Sequence, residues 1–307
     1  MGCRRWVSLA WMLLFAAWVA PDTARADRTV EIHTARDLEA LFEQLHYTPK
    51  DWQAGVREVP PIYIADIPSS WRDKVSKEIT VDEKKRLFFR VIAPIVLYVN
   101  EQILETRVRA EGLSQQLASS RPLSATDQEW LRTLAARYEV PWPSGSPPDS
   151  ARMAELLHRV DAIPPSLALA QSASESGWGT SRFAAEGNAL FGQWSTGKGI
   201  VPAQQRTATH GDHRVAAFES TGMAVWSYAL NLNTHAGYKE FRARRADVRR
   251  QGRRVRGTDV VDTMVHYSER GQAYVDELKT IIRQNRLAAA DDAYLSKMEI
   301  IRVVPKK

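Results

Sequence analysis

The sequence predicts a mainly α-helical protein with a small β part. Thr80 and Glu83 form a capping box, and the apolar residues that follow recur at helical spacing, which predicts a long amphipathic helix. Pro164 and Pro165 begin another helix, because proline is favoured in the first helical turn. The clearest strand signal lies in residues 193–218, where glycines separate short segments.

The other elements follow the same rules. Residues 36–46 have apolar side chains at helical spacing, whereas neighbouring prolines make residues 62–64 an extended stretch. Ser124 begins a helix that ends before Pro141. Residues 298–307 alternate between apolar and basic, which predicts a strand or a disordered tail. The remaining predicted helices cover residues 153–160, 221–233, 259–266 and 272–285.

The chain is predicted to divide into four parts. Residues 1–26 form a signal peptide, and residues 27–150 form an N-terminal helical region that ends in a linker rich in proline, glycine and serine, residues 141–150. Residues 151–290 form the principal domain, and residues 291–307 form a tail. Because the apolar face of the long helix must be covered, we expect the N-terminal region to pack onto the principal domain.

The first 26 residues have the pattern of an export signal. Arg4 and Arg5 precede an apolar run over residues 6–20, and Ala24 and Ala26 frame a small-x-small cleavage site. The run is shorter than the roughly 20 residues that span a bilayer. We therefore expect cleavage after Ala26 and a periplasmic monomer without stable membrane insertion, a retained membrane anchor being the alternative.

The composition is that of an ordinary globular protein, with 44% hydrophobic and 25% charged residues among 307. A formal net charge of +6 suits anionic polymers, and we do not expect nucleic acid as a partner. The only cysteine, Cys3, lies in the segment expected to be removed, so the mature chain has no thiolate chemistry. His210, Asp212 and His213 have no further ligand at helical spacing, and no nucleotide-binding motif occurs. We expect neither a metal nor a cofactor.

Glu175 is the strongest candidate for catalysis. It ends the helix that Pro165 begins, and Gly177 is suited to the left-handed position that terminates a helix. The negative end of the helix dipole and partial burial beside Trp178 both favour a protonated carboxyl. Such a group can donate a proton to a glycosidic oxygen. The alternative is that Glu175 is a surface residue at a helix end.

Aromatic and amide side chains follow Glu175 closely, and they are the candidate substrate-binding residues Trp178, Asn188, Phe191, Gln193 and Trp194. Flat aromatic faces stack on sugar rings, and amides hydrogen-bond to hydroxyl and acetamido groups. This combination favours a sugar-binding groove, although some of the aromatic residues are expected to belong to the core.

Two segments, residues 170–181 and residues 187–192, resemble the bacterial glucosaminidase domain of glycoside hydrolase family 73. They read AQSASESGWGTS and GNALFG. The extended string over residues 163–171, together with residues 191–194, is similar to the bacterial Bax proteins. The likeness runs from about residue 63 to residue 287.

The resemblance implies a lysozyme-like helical fold with a small β-lobe, and endo-cleavage at N-acetylglucosamine β-1,4 bonds of peptidoglycan glycan strands. It assigns the catalytic acid to Glu175 and a second catalytic position to Tyr274, in the helix late in the domain. Tyr267 would contribute to the same groove wall. Both tyrosines could instead be core residues with hydrogen-bonded hydroxyls.

The second catalytic carboxyl is left open. The candidates are Asp212 in the β-lobe, Glu219 directly after it, and Glu186 before the second motif, and none matches a family position well. The acetamido group of the substrate could act in place of a second carboxylate. A single acid would also suit a lytic transglycosylase, and the missing partner is compatible with a non-catalytic wall-binding or regulatory protein.

A basic cluster lies between Arg242 and Arg256. These fifteen residues include eight arginines and one acidic residue, Asp247. Such a run could hold an anionic polymer or a membrane surface. We expect it to be a solvated helix face and loop.

Overall fold

The structure, a computed structural model, describes residues 6–7, 27–143, 145–196, 199–202 and 213–305. It confirms the predicted fold class, because helices dominate and the strands are short. The helices in chain order are α1 Ala35–Gln44, α2 Pro49–Gln53, α3 Ser76–Glu78, α4 Val81–Ala118, α5 Ala125–Arg137, α6 Ser150–Arg159, α7 Pro165–Ser176, α8 Arg182–Gly187, α9 Thr221–Thr234, α10 Lys239–Arg250, α11 Gly257–Val260 and α12 Gln272–Gln284.

Shorter helical turns and strands complete the fold. A π-helical turn spans Trp71–Val75, and 3-10 turns span Ala236–Tyr238, Val261–His266 and Leu287–Asp292. The strands are β1 Trp6–Val7, β2 Asp27–Ile32, β3 Glu58–Val59, β4 Ile62–Ile64, β5 Trp194–Thr196, β6 His213–Val215, β7 Tyr294–Leu295 and β8 Ile300–Pro305.

The last strand of the chain pairs with strands of the N-terminal region. Strand β8 lies between β2 and β4 and pairs with both in parallel, with Val303 opposite Val30 and Ile64. Ile301 and Val303 point into the core, whereas Arg302 is exposed between them, as the alternating sequence predicts for a strand with one buried face. Strands β3 and β7 form a second parallel pair. In the β-lobe, β5 pairs with β6 antiparallel, and β1, which lies in the segment expected to be removed, pairs with β5 in parallel.

Helix α4 joins the N-terminal region to the principal domain. The capping box of Thr80 and Glu83 begins it as predicted, and it continues through Pro94. Within the described part of the chain, α4 is long and apolar enough to cross a membrane, but its apolar residues pack mainly inside the protein, against α6, α7 and α9. Asn100 of α4 hydrogen-bonds through both amide atoms to the backbone of Ile163, just before α7. One hydrophobic core therefore includes both regions.

Helix α7 lies at the centre of that core. Its small alanine and serine side chains let α4 and α12 approach closely. At its beginning, the buried carboxylate of Asp291 accepts hydrogen bonds from the Ser166 backbone N–H, the Ser166 hydroxyl and the Gly257 N–H. Burial raises the pKa of Asp291, and these three hydrogen bonds act in the opposite direction.

The prediction of a solvated face for the basic cluster is wrong for two of its arginines. Arg242 is 2% exposed and Arg245 is 1% exposed. Arg245 donates to the Asn233 side chain and lies 3.5 Å from the carboxylate of Asp161, which also binds Arg249. Buried guanidinium groups need such partners, and the spacing of arginines in a sequence does not show whether partners exist.

Replacement of Gly257 by alanine is expected to destabilise the protein by about 1–3 kcal/mol. A Cβ at this position would lie 2.2 Å from the Ser166 Oγ and 2.9 Å from the Leu167 backbone nitrogen. Chemical denaturation measures the effect. Gly112→Ala is the matched control, because a Cβ there meets nothing within 4 Å in an exposed part of α4. We expect Gly112→Ala to stabilise the protein by roughly 0.5–1 kcal/mol. An equal loss of stability in both variants would contradict the close approach of Gly257 to Ser166 and Leu167.

Asp161→Asn is expected to cost about 3–5 kcal/mol at neutral pH, because it leaves Arg245 buried without its carboxylate. Burial alone would raise the pKa of Asp161, but the arginines around it outweigh burial and lower the pKa. As pH falls, Asp161 is therefore protonated in the unfolded chain before it is protonated in the folded protein. The contribution of its carboxylate to the free energy of unfolding is complete above about pH 4 and is lost as pH falls further. The stability gap between wild type and variant, measured by denaturation, should narrow in that acid range.

Asp247→Asn provides the control, since Asp247 pairs with Arg250 at the surface. It should change the free energy of unfolding by at most about 1 kcal/mol. A loss as large as that of Asp161→Asn would show that the buried cluster has no special role.

Candidate active site

The C-terminal turn of α7 places Glu175 at the end of a buried helix. Gly177 adopts the left-handed conformation with φ +58°, as predicted, and Trp178 and Gly179 continue in the same region at +56° and +77°. The Ser176 hydroxyl donates to the Ser172 carbonyl and accepts from the Gly179 N–H, which holds this turn. A positive φ is uncommon for tryptophan, so the turn places the Trp178 ring at a conformational cost.

The Glu175 side chain is half-buried, and its Oε1 atom is shielded from solvent. Tyr228 of α9 interacts electrostatically with Glu175. Burial raises the pKa of Tyr228 well above its ordinary value, and the negative charges of Tyr238 and Glu175 add to this effect. The acid thus lies within electrostatic range of a buried tyrosine cluster. That its carboxyl is kept protonated stays a prediction.

A buried hydrogen-bond chain supports the helix from inside. The Tyr228 hydroxyl donates to the Gln171 Oε1 at 2.7 Å, and the Gln171 Nε2 donates to the Tyr274 hydroxyl at 3.1 Å. Gln171 lies one turn before Glu175 on α7 and is completely buried. Sequence analysis did not single out Gln171 or Tyr228. The sequence did contain a signal for this chain, a lone glutamine on a helix of small apolar residues. A buried amide needs hydrogen-bond partners, so such a residue predicts polar side chains on the neighbouring helices.

The two predicted tyrosines lie in the core. The rings of Tyr267 and Tyr274 stack with centroids 5.7 Å apart, and both side chains are essentially unexposed. The Tyr267 hydroxyl donates to the backbone carbonyl of Phe191 at 2.9 Å. The Phe191 ring is itself buried against Tyr228, with centroids 3.9 Å apart. In this structure Phe191, Tyr267 and Tyr274 pack in the core behind α7 and do not line an open groove.

Asn188 holds the N-terminal region against the β-lobe. Its Oδ1 accepts from the Ile67 backbone N–H, and its Nδ2 donates to the Asp66 carboxylate and the Phe218 carbonyl. It also ends α8 in a left-handed conformation, which asparagine tolerates well. Gln193 is likewise buried and donates to the Ser227 hydroxyl at 3.2 Å.

The two predicted tryptophans are half-buried and present part of their surface. The Trp178 carbonyl accepts a hydrogen bond from the Trp71 indole, and the Lys85 ammonium lies 5.2 Å from the centroid of the Trp178 ring. Trp194 of β5 packs edge to face with His213 across the hairpin. Trp71 and Lys85 belong to the N-terminal region, and sequence analysis had not connected that region to this site.

The candidate second carboxylates are differently placed. Glu186 is exposed, and its carboxylate pairs with Arg182 at 3.2 Å and approaches Arg72 at 3.7 Å. Glu219 is exposed directly before Ser220, the residue that caps α9. Asp212 and the neighbouring His210 lie outside the described residues. Within the described ranges, no group of three histidine, cysteine or acidic residues is arranged to hold a metal ion.

Comparison with known proteins identifies the family. The model of the family described as mannosyl-glycoprotein endo-beta-N-acetylglucosaminidase (Glucosaminidase) matches residues 151–287, the segment that includes α7, the β-lobe and α12. The chain is also similar to protein Bax of Escherichia coli (strain K12), with 32% identity over 211 residues that cover 67% of this chain and 72% of that protein. No solved structure matches. The chain therefore belongs to the glucosaminidase family of glycosidases and is a relative of Bax.

Proposed function

We propose that this protein is an endo-β-N-acetylglucosaminidase that cleaves β-1,4 bonds in the glycan strands of peptidoglycan, with Glu175 as the general acid. The observation that carries the proposal is the position of Glu175, half-buried at the end of a buried helix beside a partly exposed tryptophan. Membership of the glucosaminidase family supports the choice of a glycan substrate.

The chemistry requires one proton at the leaving group and one nucleophile at the sugar. The protonated Glu175 carboxyl would donate its proton to the glycosidic oxygen as the bond to the anomeric carbon breaks. Trp178 and Trp194, both partly exposed, would stack on sugar rings of the strand. Either a water activated by Asp212 or Glu219, or the acetamido oxygen of the substrate itself, would then attack the anomeric carbon. Glu186 suits this role less well, because two arginines hold its carboxylate.

The proposed substrate lies outside the cytoplasmic membrane. We propose that residues 1–26 direct export, that cleavage follows Ala26, and that the mature chain acts in the periplasm. The charge pattern, the apolar run and the cleavage site in the sequence support this part of the proposal.

Glu175→Gln is expected to lower the rate of peptidoglycan hydrolysis by about 100-fold or more, because the amide keeps the shape of the side chain but cannot donate an acidic proton. The measurement is fragment release from purified peptidoglycan, with mass spectrometry of the products. Reducing N-acetylglucosamine ends are expected. The control is Glu129→Gln, the same change on the exposed face of α5, which should leave the rate unchanged.

Other results would lead to different conclusions. Anhydro-muramyl ends would identify a lytic transglycosylase with a single acid. A wild-type protein that binds peptidoglycan but releases nothing would identify a binding or regulatory protein on this scaffold. Asp212→Asn and Glu219→Gln extend the experiment. If one of them lowers the rate as much as Glu175→Gln does, that residue is the base. If neither lowers the rate, the acetamido group of the substrate is the favoured nucleophile.

A further inference from the structure

A cavity of the fold shares Lys85 with the surroundings of Trp178, and none of the residues discussed as catalytic lines it. It has a volume of roughly 470 Å³ and opens between α2, one face of α4 and the segment after α12. Trp52, Phe89 and Tyr47 supply aromatic walls, and Gln53, Gln284 and Asn285 supply amides. We call this space the α4 pocket.

The charges in the α4 pocket are almost all positive. Lys85, Arg86, Arg90 and Arg286 line it, and the only acidic side chain in its lining is Asp82. Arg86 has a distant partner in Glu39 at 4.0 Å, and Arg286 is exposed. The excess of cations gives the pocket a positive potential that favours an anionic occupant.

Arg90 is the most informative of these cations. Its guanidinium group lies 5.6 Å from the centroid of the Tyr47 ring and 5.9 Å from that of Phe42, and burial lowers its pKa. The carboxylates of Glu39 and Asp51 attract it from further away, and no carboxylate among the described residues pairs with it directly. Half-buried guanidinium groups usually have such a partner, and a planar carboxylate fits their paired donors best. A ligand carboxylate would supply such a direct partner.

The pocket adjoins the site of the proposed cleavage through Lys85. Lys85 lines the pocket, and its ammonium group lies 5.2 Å from the ring of Trp178, three residues after Glu175. Arg90 lies five residues after Lys85, about 7.5 Å further along the axis of α4. An extended chain of three amino acids spans about 10 Å. A short peptide attached to a sugar that stacks on Trp178 is therefore long enough to pass from Lys85 to Arg90.

We propose that the α4 pocket binds a carboxylate of the peptide stem that peptidoglycan glycan strands bear. This inference rests on the proposed function and adds a substrate subsite to it. The guanidinium group of Arg90 and the ammonium group of Lys85 receive the carboxylate, while Trp52 and Phe89 pack against the aliphatic part of the stem. The subsite directs the enzyme to glycan strands that still bear peptides.

The test measures binding of a free stem peptide, L-alanyl-γ-D-glutamyl-diaminopimelate, to the full chain with the substitution Glu175→Gln, by calorimetry. We expect saturable binding that Arg90→Gln weakens about tenfold or more, because a charged hydrogen bond to the carboxylate is lost. The same peptide with its carboxylates amidated should not bind measurably. Arg109→Gln is the matched control, because Arg109 lies on the same helix outside the pocket and already pairs with Asp127.

A second variant keeps the test decisive if Arg90→Gln fails to fold. Arg286→Gln changes an exposed residue of the same pocket and should weaken binding several-fold. Equal binding by these variants and the parent chain, or equal binding of the amidated peptide, would overturn the subsite. Absence of glycan cleavage combined with arginine-dependent peptide binding would instead refute the proposed hydrolysis and leave the subsite standing.

Discussion

The position of the candidate acid depends on one buried carboxylate at the other end of its helix. Asp291 binds the first turn of α7 through Ser166 and also binds the N–H of Gly257. A carboxylate at a helix N-terminus satisfies backbone donors and complements the positive end of the helix dipole. Because Asp291 is buried, it has no water to replace these partners. The carboxylate therefore connects α7 firmly to the segment after α12.

The middle of α7 is held by a different kind of contact. Gln171 accepts from Tyr228 and donates to Tyr274, so one amide joins α7 to α9 and to α12. Stacked rings around this amide exclude water from the inner side of the helix. Glu175, one turn later, emerges where this packed cluster ends. The polar atoms next to the candidate acid are thus supported by neighbours that cannot easily rearrange.

The N-terminal region takes part in the site although the family model begins at residue 151. Asn188 binds the backbone at Ile67, Trp71 binds the carbonyl of Trp178, and Lys85 lies over the Trp178 ring. Gly179 allows this approach, because a Cβ at its φ of +77° would lie 3.2 Å from the Trp71 indole nitrogen. These contacts place residues of the N-terminal region beside the candidate site, in addition to that region's role in covering the core.

The sequence by itself determined the local features. Capping residues, proline positions and apolar spacing predicted the long helix after Thr80, the start of α7 and its left-handed end at Gly177, because these depend on a few neighbouring residues. The family motifs identified Glu175 as the candidate acid. Only the tertiary structure decided which polar groups meet across the fold. Arg245 is buried because Asp161 and Asn233 lie opposite it, Tyr267 and Tyr274 pack behind α7, and Lys85 reaches Trp178. These contacts join residues far apart in the chain, and the periodicity of one segment carries no information about the partner that another segment supplies.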